Sequence, residues 1–163
     1  MKKLLVLALV LGLASGASAA LTLVGAPAEP IDIGQSISIL VDNSEDGAYS
    51  GWLEIVDQAV ADYDGDPVFT AAGNPGGASE MKPADGYPGW YDFTVASFPP
   101  NPTITAGEHI EVNVIGVSEG TTALNLYATD GVTLLDTAQI TVIPEPMTIA
   151  LLGLGALFLR RRR

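Results

Sequence analysis

Four separate runs with an apolar residue at every second position constrain this chain more than any other feature. Ile37, Ile39 and Val41 alternate with polar serines, and Ile110, Val112 and Val114 alternate with Glu111 and Asn113. Leu124 and Leu126 alternate with Asn125 and Tyr127, and Ile140 and Val142 with Gln139 and Thr141. A period of two places one set of side chains on one face of an extended strand, so each run reads as a half-buried β-strand. Tyr49 to Val56 adds aromatic and branched residues that suit a pleated surface. No stretch between Ala20 and Ile143 carries the period of a long helix.

Turn chemistry separates these runs. Glu45-Asp46-Gly47 precedes the Tyr49 run, Ser118-Glu119-Gly120 joins two late runs, and Thr129-Asp130-Gly131 joins the next two. Glycine accepts positive φ without steric cost, and an Asp side chain bonds the backbone that follows it. The late segment therefore predicts an antiparallel meander over about 108–117, 121–128 and 133–143. Strands spaced by roughly 8–12 residues, with Gly and Pro punctuation, predict an all-β, antiparallel β-sandwich of the immunoglobulin-like kind. The 124 residues from Ala20 to Ile143 match the commonest domain size and suffice for one core. There is no cysteine, so that core must hold the fold without disulfides.

Residues 64–102 differ from the rest. Seven prolines and a run of glycines break regular structure repeatedly, leaving only Val68 to Ala71 and Trp90 to Ala96 strand-like. A long irregular excursion in a compact domain is either a binding surface or a tolerated surface loop. Tyr87, Trp90, Tyr91, Phe93 and Phe98 fall within twelve positions here. Tyr87 and Trp90, beside turn residues, are the candidate platform for a ligand such as a sugar ring.

Asp62, Asp64 and Asp66 alternate in a way that resembles the start of a calcium loop, and are the candidate metal ligands. The loop pattern needs Gly at its sixth position and Glu at its twelfth, where this chain has Pro67 and Gly73. What stays open is a looser calcium site at a sandwich edge or a solvated acidic turn, and calcium is the one cofactor left in play. Catalysis finds no support. The single histidine, His109, is expected at the surface or a strand edge beside Glu108 and Glu111, and no serine sits in a nucleophile motif. One His without Cys cannot build a usual zinc site.

The two ends decide the compartment. MKKLLVLALVLGLASGASAA joins Lys2 and Lys3, an apolar stretch and Ala17-Ser18-Ala19, the three parts of a secretory signal peptide over residues 1–19. At the other end Pro144-Glu145-Pro146 precedes an apolar run, 148–159, and the cluster Arg160, Arg161, Arg162 and Arg163. Twelve helical residues span about 18 Å against a hydrocarbon core of about 30 Å, short for a permanent anchor. Between the signal and the arginines only Lys82 faces all 19 acidic residues, a formal charge of −18. Such a body repels nucleic acid and anionic lipid, so its charge serves either plain solubility or the company of cations or a basic protein.

The order Pro-Glu-Pro, apolar run, arginine cluster over residues 144–163 resembles the PEP-CTERM sorting domain of exported bacterial proteins. The resemblance implies recognition of Pro144, Glu145 and Pro146 by an exosortase, transient membrane insertion through 148–159, and Arg160 to Arg163 as the stop-transfer cluster. It further implies processing near the motif and delivery to the envelope or to an extracellular matrix rich in exopolysaccharide. In the body, "IDIGQSISILVDN" and "ITAGEHIEVNVIGV" resemble the Gly-then-alternating strands of cohesin-like modules, which bind protein partners. The expectation is a β-sandwich over 20–143, flanked by the signal peptide and a short C-terminal apolar helix. Its expected role is that of an exported, non-enzymatic envelope or matrix protein; the alternative is a calcium-dependent carbohydrate- or protein-binding adhesion module.

Overall fold

A computed structural model of the chain describes residues 21–145. The signal segment 1–19, Pro146, the apolar run 148–159 and Arg160 to Arg163 lie outside the described residues. Among the described residues there are eleven strands and no helix. They are β1 (Leu21–Val24), β2 (Ile31–Asp32), β3 (Ser36–Asn43), β4 (Tyr49–Ile55), β5 (Ala61–Tyr63) and β6 (Val68–Phe69). Then follow β7 (Glu80–Pro83), β8 (Trp90–Val95), β9 (Gly107–Gly116), β10 (Gly120–Tyr127) and β11 (Leu134–Ile143). The expected β-sandwich is present as two sheets. The first runs β1-β3-β9-β5 with β6 also on β9, and the second runs β2-β11-β10-β4-β8-β7. All pairs are antiparallel except β2 with β11, where Ile31 faces Val142 and Asp32 faces Ile143.

Alternation builds the core. Ile39 and Val41 of β3 and Ile110, Val112 and Val114 of β9 turn in from the first sheet. Leu53, Ile55, Phe93, Leu124, Leu126, Ile140 and Val142 turn in from the second. Each such side chain, fully buried, contributes about 1.5–3 kcal/mol relative to an exposed one. The outward positions of the second sheet are thereby fixed: Trp52 and Glu54 on β4, Trp90 and Asp92 on β8, Asn125 and Tyr127 on β10.

Two expectations need correction. The late strands do not form one meander. β9 pairs with β3, β5 and β6, whereas β10 pairs with β11 and β4, so Val117-Ser118-Glu119 crosses from one sheet to the other. Backbone bonds from Val117 N (2.8 Å) and Ser118 N (3.1 Å) to the Val60 carbonyl hold that crossing. His109 is not at the surface either; it is 0% exposed. The register against β3 steps from Val41 opposite Ile110 to Asp42 opposite Glu108, leaving His109 as the extra residue of a bulge. A bulge suspends strict alternation, so His109 and Ile110 both face inward. Its ring stacks on Tyr49 at 5.6 Å, and its Nδ1 and Nε2 meet the Tyr49 hydroxyl (2.8 Å) and the Thr105 carbonyl (2.7 Å).

The stretch 64–102 carries β6, β7 and β8. Of these, β8 is an interior strand of the second sheet, with Leu53 opposite Tyr91 and Gly51 opposite Phe93. β7 closes that sheet's edge with Lys82 and Pro83, residue types that discourage further strand pairing.

Candidate functional site

Two segments distant in sequence meet at one end of the sandwich. The chain leaves β5 through Asp64-Gly65-Asp66, while β7 and β8 are joined by residues 84–89. That connection is a tight hairpin end, with Tyr87 N bonded to the Ala84 carbonyl (3.1 Å) and Ala84 N to the Trp90 carbonyl (2.9 Å). Gly89 is required here. Its φ is +79°, and a Cβ would stand 3.0 Å from the Ile55 carbonyl oxygen. The Gly89 carbonyl accepts from Ile55 N (3.0 Å) and from the Tyr63 hydroxyl (3.1 Å), so one backbone group ties the hairpin to both sheets.

Between these segments lies a cleft of about 340 Å³, lined among others by Asp62, Tyr63, Asp66, Tyr87, Trp90 and Tyr91. Its floor is a pair of tyrosines. Tyr63 and Tyr91 meet edge to face at 4.8 Å, and the Tyr91 hydroxyl donates to Asp66 Oδ1 at 2.5 Å. Burial pushes the Tyr91 phenol up to about 12, helped by its bond to Asp66 and the Asp66 charge. Burial also raises the Tyr63 phenol, with smaller contributions from Tyr91 and the Asp62 and Glu54 charges. Both phenols therefore keep their protons at neutral pH. Asp62 Oδ1 accepts from Gln58 Nε2 (2.7 Å) and from Tyr63 N (2.8 Å).

An aromatic strip continues from the cleft across the outer face of the second sheet. Tyr87, 65% exposed, meets Trp90 at 6.3 Å; Trp90 stacks on Tyr127 at 5.1 Å and meets Trp52 edge to face at 6.4 Å. Polar groups sit among the rings. Glu54 Oε2 accepts from the Tyr127 hydroxyl (2.8 Å) and Asn125 Nδ2 (3.1 Å), and Asn125 Oδ1 accepts from the Thr137 hydroxyl (2.8 Å). Burial, then the bond to Glu54, raises the Tyr127 phenol. A wider, shallower depression of about 630 Å³ lies between β6 and β7, but its lining offers no comparable convergence of aromatic and charged groups.

Of the residues singled out from the sequence, Asp62, Asp66, Tyr87 and Trp90 line this single cleft. Asp64 does not; it is exposed, with its backbone N bonded to the Asn113 carbonyl at 2.8 Å. Among the described residues no three His, Cys, Asp or Glu side chains gather into a group that could hold a metal ion. Pro144 and Glu145 follow β11 directly, half-buried and exposed respectively. Sequence reasoning put Asn125 and Tyr127 on the outward phase of their strand but missed them, with Trp52 and Glu54, as parts of one aromatic surface, and missed Tyr63 as the cleft floor. The available signal was aromatic residues at the outward phase of strands whose inward phase is Leu53, Ile55, Leu124 and Leu126.

No protein-family model matches the chain, and no curated protein matches it. Solved structures do. The chain is similar to the cohesin module of a family 33 glycoside hydrolase from Clostridium perfringens, at 12% identity and TM-score 0.55, over 78% of this chain and 100% of that one. A cohesin from Clostridium acetobutylicum is 15% identical at TM-score 0.54, over 76% and 91%. The sixth cohesin of scaffoldin B from Acetivibrio cellulolyticus is 14% identical at 0.53, over 78% and 99%. At these identities the likeness is one of fold, and it matches the cohesin-like resemblance of the two alternating strands.

Proposed function

We propose that this chain is an exported, non-enzymatic binding module of the cell envelope or extracellular matrix. It is sorted through Pro144-Glu145-Pro146 and its arginine-ended tail by an exosortase, and its partner docks on the aromatic end of the second sheet. The observation that carries the binding part is the convergence of Tyr87, Trp90, Trp52 and Tyr127 on one solvent-facing surface beside the cleft. Large aromatic residues are enriched where proteins bind partners; here Tyr87 is exposed and Trp52, Trp90 and Tyr127 are half-buried on the outer sheet face. The fold supports the same reading: the similar Acetivibrio cellulolyticus cohesin is solved in complex with a Cel5 dockerin. A calcium-dependent version of the module has no support from the geometry around Asp62, Asp64 and Asp66.

The test is fractionation of cells of an exosortase-bearing host expressing the full chain, with mass spectrometry of the extracellular form. The expected product lacks Arg160 to Arg163 and is retained in the matrix. Trp90→Ala combined with Tyr127→Ala should release it into the medium without changing its circular dichroism. An intact arginine tail outside the cell refutes sorting, and unchanged retention of the folded double variant refutes the binding face.

A further inference from the structure

We infer that the cleft between the Asp62–Asp66 segment and the 84–89 hairpin holds the guanidinium group of an arginine presented by a basic protein partner. This assignment rests on the binding-module reading and names what its site takes. The polar groups of the cleft ask for a donor. The Tyr63 hydroxyl spends its proton on the Gly89 carbonyl, the Tyr91 hydroxyl on Asp66 Oδ1, and the Gln58 amide donates to Asp62 Oδ1. The second oxygen of each carboxylate remains as an acceptor. Charge points the same way. Lys82 is the sole Lys or Arg among the described residues and lies 3.8 Å from Asp92, so neither Asp62 nor Asp66 has a cation within the domain.

The walls decide between cations. Tyr87 and Trp90 line the cleft beside the two carboxylates, and a cation over the face of an aromatic ring is attracted by the ring quadrupole. A planar guanidinium stacks on an aromatic ring and forks its donors between two acceptors, which a compact, strongly hydrated ammonium does less well. The volume of about 340 Å³ is at the small end of ligand sites, the scale of one side chain and not of a polymer. The aromatic strip running away from the cleft supplies the apolar contact that a protein surface around such an arginine would use.

The experiment is amide and indole chemical-shift titration of the labelled protein, purified from the exporting host, with acetyl-Gly-Arg-Gly-amide. Matched peptides carry lysine or citrulline, the neutral isostere of arginine, and a glucosamine oligomer tests whether an amino sugar supplies the cation. Saturable shifts confined to residues 58–66 and 84–91 are expected with arginine, weaker ones with lysine, and none with citrulline. Asp62→Asn with Asp66→Asn, which keeps an acceptor for each internal bond, should weaken arginine binding about tenfold or more, the loss expected for a charge-assisted hydrogen bond. Equal binding of citrulline, shifts scattered over all acidic residues, or tighter binding of the glucosamine oligomer overturns the assignment. Because this readout uses purified protein, loss of arginine binding alongside intact matrix retention refutes the ligand and leaves the binding module standing.

Discussion

Tyr49→Phe isolates one hydrogen bond inside the sandwich. His109 is 0% exposed, and its Nε2 lies 2.7 Å from the Thr105 carbonyl, which can only accept. Nε2 therefore carries a proton, and in an uncharged ring Nδ1 is the acceptor and the Tyr49 hydroxyl at 2.8 Å its donor. Phenylalanine keeps the ring and so keeps the stack on His109 at 5.6 Å and the edge contact with Phe93 at 6.1 Å. The substitution thus removes only the donor and strands a buried acceptor, which costs about 1–3 kcal/mol. For a domain of this size 1 kcal/mol moves Tm by about 4 °C, so a fall of about 4–12 °C is expected. Differential scanning calorimetry reads the shift, and a cycle with His109→Phe reads the coupling, about 1 kcal/mol or more for groups in direct contact. Loss of the Thr105 bond is common to both His109 arms and cancels. A Tyr49→Phe protein melting within about 2 °C of the parent, or a cycle without coupling, refutes the tautomer and the bond.

Alkaline titration tests the buried phenols. Tyr91 is pushed up to about 12 and Tyr49 and Tyr63 are also raised, in each case by burial first, so the folded state holds these protons more tightly than the unfolded chain. Their stabilisation is complete below about pH 10 and is lost above it, for Tyr91 as pH rises through about 12 and for Tyr49 and Tyr63 at still higher pH, so tyrosinate absorbance should grow together with loss of circular dichroism. Normal titration near pH 10 in a folded protein contradicts the burial. Gly89→Ala forces a left-handed backbone costing about 1–2 kcal/mol and adds a contact 3.0 Å from the Ile55 carbonyl. Gly86→Ala shares the positive φ but meets nothing within 4 Å, so the Gly89 variant should melt lower; equal losses would show that the contact is immaterial.

The strands that sequence revealed are those long enough to display a period. Ile110, Val112 and Val114, Leu124 and Leu126, and Ile140 and Val142 are all buried as their alternation requires. β1, β2, β5 and β7 have two to four residues, too few to establish a period. Turn chemistry misled for a different reason: Ser118-Glu119-Gly120 suits a short reversal whether it closes a hairpin or arches between sheets, and only pairing of Gly116 with Ala61 and Gly120 with Val142 distinguishes the two. His109 was misplaced because a bulge depends on the partner strand. The cleft was half legible. Residue type marked Asp62, Asp66, Tyr87 and Trp90, but their meeting depends on β5 and the β7–β8 hairpin ending side by side in different sheets.

Part of the acidic surface is used by the fold itself. None of the carboxylates among the described residues is buried, and several oxygens are tied to backbone N–H groups. Asp136 accepts from Leu23 N (2.8 Å) and so joins β1 to β11, and Asp46 accepts from Ala106 N (2.8 Å) across two loops. Asp130 accepts from Val132 N, Thr133 N and the Thr133 hydroxyl, which hold its carboxyl below the usual range. That turn is supported above the ordinary Asp range and loses support as pH falls through the depressed folded value. Such bonds pin loops without any cation, which lets a domain with one lysine fold despite its self-repulsion. Asp66 is outside this set: it accepts from the Tyr91 phenol on the cleft floor, as Glu54 accepts from the Tyr127 phenol on the outer face of the second sheet. Neither holds a backbone N–H, so both leave their charge beside the aromatic rings, where the arginine assignment would use that of Asp66.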